Sequence, residues 1–111
     1  MVIMDVENAM ARLGNNKKLY ATLWKKFDGD AMLEVLKKKL ADGDAKGAQD
    51  QAHAIKGLAA NLALTDLAEK SEAIESALKG GGTAAEINVS EIAESTAATV
   101  EAVKAWLSEN A

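Results

Sequence analysis

Apolar residues recur at intervals of three and four along most of the chain, which is the spacing of one face of an α-helix. Nowhere do apolar and polar residues alternate as they would in a half-buried strand. The chain contains no proline, and many of its apolar residues are alanine, so its composition also favours helices. Its 111 residues suit one domain with one core. We therefore expect an all-α chain with a single domain over residues 1–111.

The first part of the chain predicts two short helical segments and then a longer helix. Asp5 can cap the first segment, and Gly14 and Asn15 interrupt it before the second begins. Asp30 is placed to cap the longer helix after a turn at residues 28–30. The apolar positions of these three elements are, in order, Val6, Met10 and Leu13; Leu19, Leu23 and Phe27; and Leu33, Leu36 and Leu40.

Residues 44–78 predict two helices joined by a short turn. Asp44 can cap the first, which runs to about Leu62, and the second follows a turn at residues 63–66. Because many of the inward side chains are small, these helices can approach closely. The inward positions are Ala48, Ala52, Ile55, Ala59 and Leu62, and then Leu64, Leu67, Ser71, Ile74 and Leu78.

The last helix has a clear start signal. Asn88 can cap it, and Glu91 three residues later can complete a capping box. Ile87 and Ile92 can pack across that turn as a hydrophobic staple. The inward positions that follow are Ile92, Thr96, Val100, Val103 and Leu107. Because helices joined by short connections pack as antiparallel neighbours, we expect an antiparallel four-helix bundle with a short N-terminal helical segment.

Composition argues against several classes of function. The absence of cysteine excludes disulfides and thiolate metal sites, and one histidine without a Glu-x-x-His pair leaves too few ligands for a metal site in the bundle core. A formal net charge of −4 makes the chain a poor partner for nucleic acid. Its apolar runs fall far short of the ~20 residues of a membrane span, and no secretion signal is visible. We expect a soluble cytoplasmic protein that binds neither nucleic acid nor membrane.

The only histidine, His53, falls in the middle of the helix that Asp44 begins. It is turned by about 100° from the inward position Ala52, because each residue advances an α-helix by that angle. Lys56 and Gly57 follow three and four residues later and therefore share its face, which is polar and open. A histidine buried for packing is disfavoured, whereas a plain surface histidine remains an alternative.

Lys56 and Gly57 favour a chemical role for His53. Glycine in the middle of a helix costs about 0.5–1 kcal/mol relative to alanine, and close approach by another molecule would explain that cost. Lys56 supplies a cation where a phosphoryl group, carrying roughly −1.5 to −2 charges, would need one. A neutral imidazole can act as the nucleophile.

The pattern His53-Ala54-Ile55-Lys56-Gly57 resembles the His-x-x-Lys-Gly signature of histidine phosphotransfer (HPt) domains. The resemblance covers nearly the whole chain, and it implies that His53 is the phosphoacceptor and that Lys56 and Gly57 complete the site. Further positions that fit the family are Leu62, Leu64, Leu67, Ile74 and Glu75 and, upstream, Asp5, Arg12 to Asn15, the region from Leu23 to Phe27, and Gly43 with Asp44.

The resemblance also implies a function in a two-component phosphorelay. His53 would take the phosphoryl group from a receiver aspartyl phosphate through Nε2 and return it to another receiver. The partners would be response-regulator receiver domains and a hybrid sensor histidine kinase, with the receiver supplying Mg²⁺. The chain would bind no cofactor, have no kinase activity of its own, and act as a monomer. Lys79 is a candidate for a second phosphate contact.

Two other functions stay open, and one position departs from the family. The first alternative is a structural or protein-interaction bundle in which His53 is incidental. The second is the dimerisation domain of a histidine kinase, which would need an ATP-binding domain after it, whereas the sequence stops at Ala111. Many family members have glycine at the position of Ala63. If the backbone there has a positive φ, Ala63 is strained by about 1–2 kcal/mol; otherwise the helix ends slightly later.

Overall fold

The computed structural model describes Asp5, Glu7, Ala11, Lys18, Leu19, Thr22 and residues 28–110. Over residues 28–110 it has four α-helices: α1 (Gly29–Ala41), α2 (Ala45–Asn61), α3 (Thr65–Lys79) and α4 (Ser90–Asn110). A short 3₁₀ helix, Ala84–Glu86, precedes α4, and none of the described residues forms a strand. The predicted all-α class is confirmed. The predictions that rest on Val6, Met10, Leu13, Gly14, Asn15, Leu23 and Phe27 lie outside the described residues.

The helices form a bundle in which α1 packs against α2, α2 against α3, α3 against α4, and α4 against α1. The predicted four-helix bundle is confirmed. Every inward position predicted for α2 and α3 is buried, and Leu33 and Leu36 are buried on α1. Leu40 is only partly buried at the edge of the core. None of the described helices has the length and apolar character that a bilayer span requires.

On α4 the prediction is correct for only part of the helix. Ile92, Thr96 and Val103 are buried, but Val100 is only partly buried and Thr99 is completely buried. The side chain of Leu107 is partly buried as well, and Ser95 is buried. The hydroxyls of Thr96 and Thr99 donate to carbonyl oxygens one turn earlier on their own helix, at 2.7 Å each. Because these hydroxyls are satisfied locally, both threonines can be buried, and Thr99 takes a core position that apolar periodicity did not assign to it.

Side-chain caps begin α1 and α2, but one predicted cap is wrong. Asp44 caps α2 as expected, accepting from the backbone N–H of Gly47 at 2.8 Å. On α1 the cap is Asp28 rather than Asp30, and Asp28 accepts from the N–H of Ala31 at 3.0 Å. Because α1 starts at Gly29, Asp30 lies within its first turn, where an acidic side chain favours the positive end of the helix dipole.

The capping box predicted before α4 is also wrong. Asn88 accepts a hydrogen bond from the N–H of Ser90 at 2.8 Å, and no bond joins it to Glu91. A capping box occurs instead at the 3₁₀ helix, where Glu86 accepts from both the N–H and the hydroxyl of Thr83. The capping box therefore lies at the 3₁₀ helix that precedes α4, and not at the start of α4 as predicted.

The first three helices end in the same hydrogen-bonded turn. In α2 the N–H of Ala63 donates to Ala60 and the N–H of Leu64 to Ala59, which is a Schellman motif. This motif needs a positive φ at one residue, and Ala63 has φ +56°. The corresponding residues after α1 and α3 are Gly43 and Gly81. Ala63 is therefore in the conformation for which strain was predicted, and the alternative of a longer helix is wrong. Because α3 starts at Thr65, the turn is shorter than expected.

Candidate functional site

His53 lies on the face of α2 that points away from the core. Its side chain is 71% exposed, whereas its neighbours Ala52 and Ile55 are 0% and 2% exposed. This exposure agrees with the prediction from helical spacing. Helix α3 lies beside this face and supplies the nearest charged side chains.

The antiparallel register of α2 and α3 decides which residues meet. His53 contacts Glu75, and Lys56 contacts Glu72, so three steps forward on α2 correspond to three steps back on α3. Both pairs are centred on Leu64, in the turn between the helices. The register therefore places two carboxylates of α3 beside the face of α2 that carries His53.

Glu75 fixes the protonation of the imidazole. Its Oε2 lies 2.5 Å from Nδ1 of His53. A carboxylate can only accept, so Nδ1 carries the proton and donates it to this bond. In the neutral ring, Nε2 is then the nitrogen with a free lone pair. The pair thus selects the tautomer in which Nε2 can act as a nucleophile.

The pKa of Glu75 keeps it ionised for this role. Partial burial tends to raise the pKa of this carboxyl group, since its side chain is only 12% exposed. The hydrogen bonds and positive charges of His53 and then of Lys56 outweigh burial, and the pKa of Glu75 lies below its ordinary value. Glu75 is therefore a carboxylate at neutral pH.

Lys56 is bound to the same carboxylate through the other oxygen. Its Nζ lies 3.4 Å from Oε1 of Glu75 and 3.8 Å from Oε1 of Glu72. Glu75 consequently bridges His53 and Lys56, one oxygen to each. The predicted cation is beside the imidazole, but in this structure it is paired with carboxylates.

Gly57 and its surroundings are open. Gly57 is exposed, and a Cβ added to it would meet no atom within 4 Å. Packing inside the bundle therefore does not explain a glycine here. Leu58, the next residue, is an unusually exposed leucine at 37%. Lys79 is exposed one turn beyond Glu75 on α3, and it forms no ion pair or hydrogen bond with the residues that the structure describes.

From the sequence, Glu75 was identified only as a position that fits the family, without a role. Glu72 was not identified at all. Both belong to α3, 22 and 16 residues from the residues of α2 with which they pair. A signal was available. Once a turn is placed around residue 64, an antiparallel pair of helices matches 53 with 75 and 56 with 72. The periodicity of either helix alone does not contain this register, so it does not reveal the two carboxylates.

The site has the parts of a phosphoryl acceptor: an exposed imidazole with a defined tautomer, a cation and an open approach. Within residues 28–110 and the six described positions before them, no three acidic or histidine side chains group to hold a metal ion. In comparison with protein families, residues 26–107 match the family described as the Hpt domain. Curated proteins and solved structures gave no match.

Proposed function

Because the chain belongs to the Hpt domain family, we propose that it accepts a phosphoryl group on His53 from one receiver domain and passes it to the aspartate of another. Hpt domains are phosphocarriers rather than enzymes, and they interact with receiver domains and histidine kinases in two-component relays. The donor and acceptor proposed for this chain are response-regulator receiver domains, and a hybrid sensor histidine kinase is a further partner.

The observation that carries this proposal is the hydrogen bond from Nδ1 of His53 to Glu75. With Nδ1 protonated, the lone pair of Nε2 attacks the phosphorus of an aspartyl phosphate. The phosphorus–oxygen bond breaks, and its electron pair stays on the receiver's carboxylate. Glu75 stabilises the positive charge that the ring then carries. In the onward step a receiver carboxylate attacks the phosphorus, and the electron pair of the broken bond returns to Nε2.

The neighbouring residues have supporting roles in this proposal. Lys56 turns from its carboxylates to the oxygens of the phosphoryl group, which carries more charge than either carboxylate. Gly57 leaves room for the receiver's loops, and Leu58 extends the contact with an exposed apolar side chain. Lys79 is proposed as a second, more distant cation for the phosphoryl group or for the receiver.

The chain itself is proposed to bind no cofactor and to phosphorylate nothing with ATP. Mg²⁺ is proposed to be held by the receiver during transfer, where it would neutralise the moving phosphoryl group. We further propose that the protein acts as a monomer in the cytoplasm. Under this proposal His53 accepts phosphate only from a phosphorylated partner.

A labelling experiment tests the proposal. The chain is incubated with a phosphorylated receiver, and acid-labile, base-stable label is expected on the wild type but not on His53→Gln. Because His53 is exposed, this substitution should change the free energy of unfolding by no more than about 0.5 kcal/mol. Label retained by His53→Gln contradicts the assignment of the acceptor. An unlabelled wild type, tested against receivers that label another Hpt domain, favours a structural bundle instead.

A further inference from the structure

Lys56 is shared between two carboxylates that differ in their surroundings. Glu75 is 12% exposed and also binds His53. Glu72 is 59% exposed and, among the described residues, has Lys56 as its partner. The charge of Glu72 is thus held near the site by one contact with a cation that the phosphoryl group would also need.

The register places these two carboxylates in different directions from Lys56. Glu72 lies directly across from Lys56, whereas Glu75 lies one helical turn along α3, across from His53. Side chains on a helix lean towards its N-terminus, so Lys56 leans towards the turn of α2 that carries His53. Glu75 therefore draws the ammonium group towards His53, and Glu72 draws it away.

We infer that Glu72 competes with the phosphoryl group for Lys56 and so makes phosphorylated His53 less stable relative to the free imidazole. This inference rests on the proposed function. A lysine ammonium is a compact charge on a flexible stem, and it cannot stay in full contact with two separated anions. Glu72 is a positioning residue in this scheme. By weakening the hold of His53 on the phosphoryl group, it favours release of the group to the next receiver.

The strength of the competition can be bounded from its geometry. Ion pairs between exposed side chains contribute about 0.2–1 kcal/mol, and the contact of Glu72 at 3.8 Å belongs to this class. Removing the charge should therefore shift the equilibrium of phosphoryl transfer towards phosphorylated His53 by about 1.4-fold to fivefold. The substitution Glu72→Gln should not disturb the fold, because this side chain is mostly exposed.

The experiment compares four variants with the wild type. They are Glu72→Gln, Glu69→Gln, Lys56→Met and the double variant with Glu72→Gln and Lys56→Met. Glu69 is the matched control, because it is an exposed glutamate on α3 that makes no ion pair with the described residues. The first measurement is the equilibrium constant for phosphoryl transfer from a phosphorylated receiver. Thermal melting of each variant checks that its fold is intact. We expect the shift of about 1.4-fold to fivefold for Glu72→Gln, a smaller one for Glu69→Gln, and none when Lys56 is already methionine.

A second measurement needs no receiver. Phosphoramidate phosphorylates His53 directly: Nε2 attacks the phosphorus, the phosphorus–nitrogen bond of the reagent breaks, and ammonia leaves. ³¹P NMR then follows the protonation of the phosphoryl group, whose pKa should be lower in Glu72→Gln than in the wild type because more of the charge of Lys56 reaches it. This difference should vanish in the Lys56→Met background.

The outcomes separate the two proposals. An equal shift in Glu69→Gln, or a shift that persists without Lys56, would mean that Glu72 acts only as general negative charge, and the inference is wrong. A shift in the opposite direction would mean that Glu72 positions Lys56 for the phosphoryl group, which also overturns it. If receivers do not label the wild type but phosphoramidate does, the proposed function fails, and the NMR titration still decides the role of Glu72.

Discussion

At the scale of single residues, one carboxylate governs the chemistry available at the site. Glu75 accepts a hydrogen bond from Nδ1 of His53 on one oxygen and forms an ion pair with Lys56 through the other. A surface histidine without such a partner exchanges between two tautomers, and only one of them leaves Nε2 free. The tautomer of His53 is therefore a property of the pair, and it should change when Glu75 loses its charge.

Glu75→Gln should shift the neutral ring towards the tautomer protonated on Nε2. Hydrogen bonds to charged groups exceed neutral ones by roughly 1 kcal/mol, so we expect phosphoryl acceptance to slow by about fivefold. ¹⁵N NMR of His53, recorded where the ring is neutral, measures the tautomer directly. Glu72→Gln is the control for the ¹⁵N shifts, since Glu72 does not contact the imidazole. Unchanged ¹⁵N shifts in Glu75→Gln would contradict the assigned tautomer.

The same substitution has an effect on stability that depends on pH. Folding lowers the pKa of Glu75, so the folded chain binds fewer protons there than the unfolded chain. The stabilisation from Glu75 is therefore complete above about pH 4.5 and is lost as the pH falls through the lowered value. Melting curves should show the wild type losing its advantage over Glu75→Gln in that acidic range. If the difference in melting temperature between the two proteins stays constant across this pH range, the contacts with His53 and Lys56 do not lower the pKa of Glu75.

Gly57 gives a third prediction at this scale. The added Cβ of Gly57→Ala meets no atom, so this variant should be more stable by up to about 1 kcal/mol. Gly57→Gln should also fold, but it should reduce the transfer rate and the affinity for receivers together. Thermal melting and transfer kinetics on both variants test this. A Gly57→Gln variant that transfers at the wild-type rate would refute the argument from close approach.

At the scale of elements, the end of α2 differs from the ends of α1 and α3. The three helices share one turn geometry, but Ala63 occupies the position that Gly43 and Gly81 fill elsewhere. A Cβ at a positive φ costs about 1–2 kcal/mol, and replacing it by glycine restores entropy to the unfolded chain, which offsets part of the gain. Helix α2 thus ends in the one strained turn among the three.

Ala63→Gly should therefore stabilise the protein by up to about 1 kcal/mol. The matched control is Gly43→Ala, which introduces the same strain at φ +72° into a place where a Cβ has free space. We expect this control to be destabilised by about 1 kcal/mol or more. Chemical denaturation measures both changes. Loss of stability in Ala63→Gly would mean that the contacts of the buried methyl group outweigh the backbone strain.

Periodicity was sufficient to predict the inward faces of α2 and α3, because both helices bury one continuous stripe. It was insufficient where a hydrogen bond depends on a single residue. Asp30 and Asp28 have the same side chain, and only the first helical residue decides which of them caps α1. Thr99 was missed because its hydroxyl bonds within α4. The role of Glu75 could not be predicted in this way, because it depends on the register between α2 and α3. The periodicity of one helix gives no information about that register.

At the scale of the whole molecule, α2 has one side that is buried in the bundle and an opposite side that is exposed and carries His53. Ala52 is completely buried against neighbouring helices, while Ala54, two residues later, is exposed beside His53. Well-packed interiors resist added volume, whereas exposed positions accept it. The same substitution at Ala52 and at Ala54 should therefore change the free energy of unfolding by very different amounts.

Ala52→Leu should destabilise the bundle by about 1–3 kcal/mol, because the larger side chain forces α2 away from its neighbours. Ala54→Leu should change stability by no more than about 0.5 kcal/mol. Thermal melting of the two variants provides the comparison, with circular dichroism to check helix content. Similar melting temperatures for the two variants would show that the core around Ala52 can expand. The close packing of α2 would then not restrict the size of the side chain at position 52.

The pairing of residues about Leu64 also has a consequence for how such a chain can evolve. When one residue inserted between Asn61 and Thr65 joins the start of α3, every later residue of α3 turns by about 100° around the helix axis and shifts by about 1.5 Å along it. Glu75 would then leave His53, although no residue of the site had been substituted. The contact between Glu75 and His53 therefore depends on the length of this connection as well as on the two residues themselves.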